Sequence, residues 1–284
     1  VGSRHENYGE TGMAHLLEHM VFKSTTSRSN IFEDLGKRGM DFNGTTSYDR
    51  TNYYETFPAN AENLKWALEM EADRMVNCLI TRKDLDTEFS VVRNEMESGE
   101  NSPIRTLWQR MTAAAFDWHN YGKSTIGARS DVENVKIENL QNFYRKYYQP
   151  DNAVLLVAGK FDPTSTLEQI QKAFGGIAKP TRVLEPTYTQ DPVQDGEREV
   201  TIRRTGDTQI SAVFYHTPRG SHEDSGAVAA LSEVLASTPN GRLHKNLVEK
   251  KLAVSIMNLN MGLAEGGYVL FFAELNKTQS LQQA

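Results

Sequence analysis

The sequence predicts an α+β fold in two successive units, on three observations. Strand-like runs and helix-period runs are both present along the chain. The stretch from Ala178 to Gly196 holds three of the nine prolines, with Thr and acidic residues and no periodicity, and reads as a linker. Beyond it the order strands, helix, helix, strands matches that of the first part if strands once preceded Val1, a weak internal repeat of order and spacing rather than of identity. The domains expected are therefore 1–187 and 188–284.

The elements follow in order. Met13, Leu16, Leu17, Met20 and Val21 recur at helical spacing, so a helix is expected from about Thr11. A second, Ile31 to Arg38, stops at Gly39. The run F-N-G-T-T-S-Y-D-R-T-N-Y-Y-E-T-F from Phe42 is rich in Thr and Tyr with rough alternation and reads as strand, with Asn43-Gly44 as a turn ahead of it. Ala61 to Asn77 is an amphipathic helix, and Thr81 to about Glu100 another, opened by the T-x-x-D pair Thr81 and Asp84. Ala153 to Gly159 is a short continuous apolar run, expected to be a buried strand. Asp162-Pro163 opens a helix that ends at Gly175-Gly176. Past the linker, Glu199–Arg204 and Gln209–His216 are strand-like, Asp224–Ala236 and Arg242–Lys251 helical, and Ala253–Asn260 and Tyr268–Glu274 strand-like again.

The 284 residues are 38% hydrophobic and 24% charged, an ordinary globular composition. A net charge of -6 argues against a nucleic-acid surface. Cys78 is the single cysteine, so neither an internal disulfide nor a cysteine metal cluster can form. No stretch approaches the roughly 18 apolar residues of a membrane-spanning helix. The chain opens on V-G-S-R without a methionine and reads as a fragment or a processed product, so the missing signal peptide carries little weight.

His15-Leu16-Leu17-Glu18-His19 is the informative segment. On a helix, residues four apart share a face, so both imidazoles can grip one ion. Zinc takes nitrogen ligands at about 2.0–2.1 Å, and a catalytic site needs three protein ligands and one open position. Glu18 lies beside the same face, where a carboxylate can take a proton from water. H-x-x-E-H is the inverzincin spacing. The same triplet also occurs on solvated helices, where the glutamate only balances charge. The flanking Gly9, Thr11, Gly12 and Leu16-Leu17 imply a half-buried helix after a tight turn, a poor place for two idle histidines. Of possible third ligands, the helix from Thr81 offers Glu88 and Glu95 on one face, two turns apart, while Glu97 points elsewhere. Spacing alone does not choose between them.

The run E-T-G-M-A-H-L-L-E-H-M-V-F-K-S-T, with E-x-x-x-V-V-R-N-E-M-E about seventy residues later, resembles the pitrilysin/insulinase family of zinc metallopeptidases, which includes the mitochondrial processing peptidases. N-G-T-T-S-Y-D-R-T-N-Y-Y, W-H-N-Y-G-K-S-T-I-G and Y-Y-Q-P-D-N-A-V-L-L-V-A-G-K-F-D also fit, so the likeness spans nearly the whole chain, closest to long bacterial insulinase-like members. The resemblance implies tandem domains, each an antiparallel sheet with helices on one face, the second cut short at Ala284, and a family sequence break that can fall near 135–150. It implies one Zn2+ held by His15, His19 and Glu95, with Glu18 as general base and Glu88 supporting a histidine. The strand around Asn43, Gly44, Thr45 and Thr46 becomes an exposed edge to which substrate adds as another strand. Phe22 lines a substrate pocket or belongs to the core.

The function expected is thus zinc-dependent endopeptidase on peptides or unfolded polypeptides. Family enzymes close as clamshells whose other half contributes an arginine and a tyrosine, so a C-terminal half or partner subunit is expected, and the chain alone should bind zinc but hydrolyse peptides poorly. A bacterial periplasmic or exported location is favoured over the cytoplasm. Two rivals are weaker. A non-catalytic scaffold member would have lost motif residues, and all are present. A small-molecule lyase with the same motif on a related fold needs metal-site cysteines that are absent. His119 reads as a structural residue. His216, His222 and His244 lack metal spacing, and the helix around Val228 to Ala236 has no histidine, so the second repeat is not a second zinc site.

Overall fold

A computed structural model describes residues 1–282. They fold as two compact units, one formed by Val1–Glu97 and Trp118–Gln190, the other by Ser98–Asp117 and the described residues from Asp191 onward.

In the first unit helix α1 (Met13–Met20) and helix α2 (Ile31–Lys37) precede a hairpin of β1 (Asp41–Thr46) and β2 (Thr51–Thr56). Helix α3 (Ala61–Asn77) and helix α4 (Arg82–Glu100) follow where the periodicity placed them. Asn60 caps α3 by accepting from the amides of Glu62 and Asn63, and Thr81 caps α4 by accepting from Asp84 N at 3.2 Å. The core of this unit gathers Leu16, Leu17, Met20 and Val21 of α1 with Leu85 and Val92 of α4, all fully buried. Leu140, Phe143, Tyr144 and Tyr147 complete it from helix α7 (Ile137–Tyr147), their spacing of three and four forming a helical stripe outside the elements expected. The short α6 (Arg129–Glu133) and, in the second unit, helix α5 (Pro103–Ala115), capped by Ser102, lie outside the elements expected. Helix α8 (Pro163–Phe174) starts at the Asp162 cap as predicted.

The second unit is a three-stranded antiparallel sheet in the order β3 (Thr208–Thr217), β5 (Gly267–Asn276), β4 (Ser255–Gly262). The central strand β5 is buried on both sides. Val269, Phe271, Ala273 and Leu275 pack against Ala236, Leu235 and Val228 of helix α9 (Ser225–Ala236). Tyr268, on the opposite side by the two-residue pleat, accepts a hydrogen bond from Trp108 Nε1 of α5 at 3.1 Å and meets Phe116 and Phe214. The helix expected over Arg242–Lys251 winds instead as a π-helix at His244–Val248. Mixed helices and antiparallel sheets are the α+β architecture that the sequence predicts.

Three expectations are corrected. Ala153–Gly159 is extended but exposed, with Val154 at 94% and Leu156 at 85%. No described strand lies alongside to pair its backbone, and a lone strand does not form a ladder. Glu199–Arg204 is also without a ladder; this stretch is tied by side chains, Arg198 to Asp117 and Arg204 to the Glu100 carbonyl. Asn43-Gly44 is not a turn but lies inside β1, and the Thr/Tyr-rich run forms two strands whose turn is Ser47–Arg50.

Candidate metal centre

Helix α1 is started by unusual means. Its cap, Gly12, has φ 89°, left-handed backbone that suits glycine, and has no side chain to offer the helix. A Cβ there would also stand 2.5 Å from the Ile126 carbonyl oxygen. The carboxyl group of Glu6 takes the capping role from six residues upstream, accepting from Gly12 N at 2.9 Å and Ala14 N at 2.8 Å. Thr11 is held by Asp131 of α6, and Asn120 donates to the carbonyls of Arg4 and Glu6. The W-H-N-Y-G segment thus fixes the approach to the motif helix, and His119 within it is a buried acceptor for Tyr121 N, as its structural reading expects.

Burial pushes the Glu6 carboxyl up to about 8, against the pull of its two amide donors. The folded protein then holds a proton that the unfolded chain releases at ordinary carboxylate pH. The stability tied to this group is full at low pH and is lost as pH rises through about 8. We expect the melting-temperature gap between the parent and Glu6→Gln to narrow between about pH 5 and about pH 8.5. A gap that widens over that range would show that the amides, not burial, set the charge state of Glu6.

His15 and His19 lie one turn apart, ring centroids separated by 4.8 Å. From α4, Glu95 Oε2 comes to 3.5 Å from His15 Nε2 and 3.8 Å from His19 Nε2. One ligand atom from each residue lies within 4.8 Å of the others, the only such group among the described residues. Tetrahedral bonds of about 2.0–2.1 Å put ligand atoms about 3.4 Å apart, so these spacings suit a shared cation better than direct hydrogen bonds. His15 is pushed down to about 4 by burial and by His19, leaving the neutral imidazole that binds metal. Its Nδ1 is buried without a hydrogen-bond partner.

Glu88, fully inside, accepts at Oε2 from His19 Nδ1 at 3.1 Å and at Oε1 meets Lys23 Nζ at 2.5 Å. Burial raises its carboxyl, but His19 and Lys23 outweigh that and hold it low. Burial lowers the His19 imidazole; the Glu88 bond, then Glu95 and Glu18, reverse this and raise it. Glu18, 8% exposed, lies beside the trio; burial raises its carboxyl, with the Thr46 hydrogen bond opposing. Three carboxylates here face one lysine, and a dication in the gap would bring the cluster to neutrality. The donor set therefore fits zinc. Glu97 turns away, paired with Arg93 and Arg129.

The hairpin supplies the opposite wall. Ser47 N donates to Arg50 O at 2.8 Å, making that a hydrogen-bonded pair. By alternation Thr45↔Asn52, Asn43↔Tyr54 and Asp41↔Thr56 are the next bonded pairs. The main-chain groups of Phe42, Gly44 and Thr46 therefore point to the open edge of β1, which has no other described strand beside it. The side chains of Asn43 and Thr45 are exposed on one face, while Gly44 and Thr46 face Glu18. Phe22 packs with Phe32, Phe42 and Tyr53, below the Arg74 guanidinium. That arginine is buried against Glu71 and Glu55, an ion cluster the sequence did not announce.

A sequence model of the insulinase family, peptidase family M16, matches residues 1–129, and one of the peptidase M16 inactive domain matches residues 134–283. A zinc protease of Helicobacter pylori, PqqE, is 34% identical over 292 residues, covering 100% of this chain and 65% of that protein. The crystal structure of a protease from the same species superposes with a TM-score of 0.92 at 32% identity, over 99% of this chain and 69% of the other. The periplasmic protease PqqL of Escherichia coli shares the fold, with a TM-score of 0.76 at 23% identity over 97% of this chain and 32% of its own. The chain spans about two thirds of the length of the curated relatives it matches. No helix is long and apolar enough to cross a membrane among the described residues.

Proposed function

The chain belongs to the insulinase family of peptidases, and from that premise we propose that it is a zinc-dependent endopeptidase, or the active-site part of one, acting on peptides or unfolded polypeptides. One observation carries the reading: His15, His19 and Glu95 converge from two helices with Glu18 beside them. We assign the first three as ligands of a single Zn2+. Bound there, zinc supplies Lewis acidity, polarising a carbonyl and lowering the pKa of water to about 7. Glu18 takes the proton from water and returns it to the leaving amine. Glu88 holds His19 with Nδ1–H toward itself and Nε2 toward Glu95. Substrate adds to the open edge of β1 through main-chain bonds to Phe42, Gly44 and Thr46, with the side chains of Asn43 and Thr45 bordering it, which suits loose sequence preference.

In this reading residues 1–187 form the catalytic domain and 188–284 a second domain without zinc. An arginine and a tyrosine facing the substrate come from further chain or a partner subunit, so the chain alone turns over slowly. The protein works in the bacterial periplasm or is exported. Elemental analysis tests the core of this. We expect about one zinc per chain, removed by chelation and regained on adding the metal, and a sharp loss in Glu95→Gln. A reconstituted parent without zinc would overturn the reading and bring the scaffold role forward.

A further inference from the structure

We propose that Thr46 is a positioning residue whose hydroxyl, with the bare backbone of Gly44, forms a cradle that aims the Glu18 carboxylate; this rests on the reading of Glu18 as the base. Residues 44 and 46 stand one pleat apart on the face of β1 turned to α1. Thr46 Oγ1 donates to Glu18 Oε2 at 2.5 Å. Its single proton is committed there, so the contact of 3.4 Å with Thr51 Oγ1 leaves Thr51 as the donor to Thr46. The other side of the carboxylate lies flat on Gly44. A Cβ at that position would be 2.8 Å from Glu18 Oε1, 2.9 Å from Cγ and 3.0 Å from Cδ. One oxygen is therefore tethered while the other is left to work, and the side chain cannot rotate toward the strand. The same strand that offers its edge to a substrate backbone thereby fixes the base against which that backbone is cleaved.

The test avoids turnover. Acetohydroxamic acid, a small zinc-binding probe, gives up its hydroxyl proton on chelating the metal, and a carboxylate in reach accepts it. Its affinity for zinc-loaded protein is measured by calorimetry in the parent, Glu18→Gln, Thr46→Val and Thr46→Ser, beside zinc content and melting temperature. With the tether gone the Glu18 carboxylate is no longer held against the probe, and losing that hydrogen bond between the probe and a charged group should weaken binding about tenfold in Thr46→Val. Thr46→Ser keeps the hydroxyl and should bind almost as the parent does, with zinc content equal in all four. Parent-like affinity in Thr46→Val would overturn the proposal, as would loss of zinc or of folding in that variant without rescue by serine. If Glu18→Gln binds the probe as well as the parent, the base assignment itself falls, and Thr46 with it.

Discussion

Replacing His15 or His19 by alanine is expected to abolish zinc binding while leaving the protein folded. On the proposed assignment each histidine supplies one of three ligand atoms, and the two that remain would hold the ion too weakly to survive dialysis. Loss of a partner that merely orients a ligand costs about 10–100-fold in metal affinity, so loss of a ligand should cost more than about 100-fold. Folding is spared because the buried side of α1 is Leu16, Leu17 and Met20, whereas both imidazoles look across to α4. His15→Ala also removes the unpartnered buried Nδ1. In the presence of a chelator, parent and variant should therefore melt within a few degrees of one another. Without chelator only the parent gains, by the linkage between metal binding and folding. Zinc retained at full stoichiometry in both variants would place the metal elsewhere.

The parts of this molecule that were legible in the sequence share one property: their determinants are local. Thr81 with Asp84, Asn60, and Asp162-Pro163 announce helix starts within four residues, and the structure uses them there. The histidine pair is legible for the same reason, since its geometry is set by one turn of helix. What the sequence could not place depends on distant partners. Ala153–Gly159 has the apolar run of an inner strand, but a strand exists only beside another, and the residues described here offer it none. Glu6 carries no motif; it becomes the cap of α1 only because the chain folds back six residues to place two amides on it. Arg74 of α3 meets Glu55 of β2 only across the fold, so no local pattern announces their buried cluster with Glu71. Asn43-Gly44 is the instructive failure. The dipeptide suggests a turn, while the structure sets Gly44 in a strand across from the Glu18 side chain, which a Cβ there would force to shift.

Glu18→Gln is expected to keep the metal and lose the chemistry. The amide has nearly the shape of the carboxylate and can still accept from Thr46 Oγ1, so packing against Gly44 is preserved. That bond also decides which way the amide lies: its oxygen faces the threonine donor, and its NH2 group, which cannot accept a proton, is left on the working side. Glu18 is not among the three convergent ligand atoms, so zinc content should equal that of the parent. A positioned general base contributes about 10²–10⁴-fold, and the single-turnover cleavage rate of a quenched fluorescent peptide should fall by that factor at saturating enzyme. Using excess enzyme keeps the comparison open even where steady turnover by this chain is slow. The three-way pattern separates the roles: the histidine variants lose zinc and rate together, and Glu18→Gln loses rate alone. Should Glu18→Gln cleave at the parental rate with full zinc, proton transfer runs through another group and Glu18 is only a packed acid beside the metal.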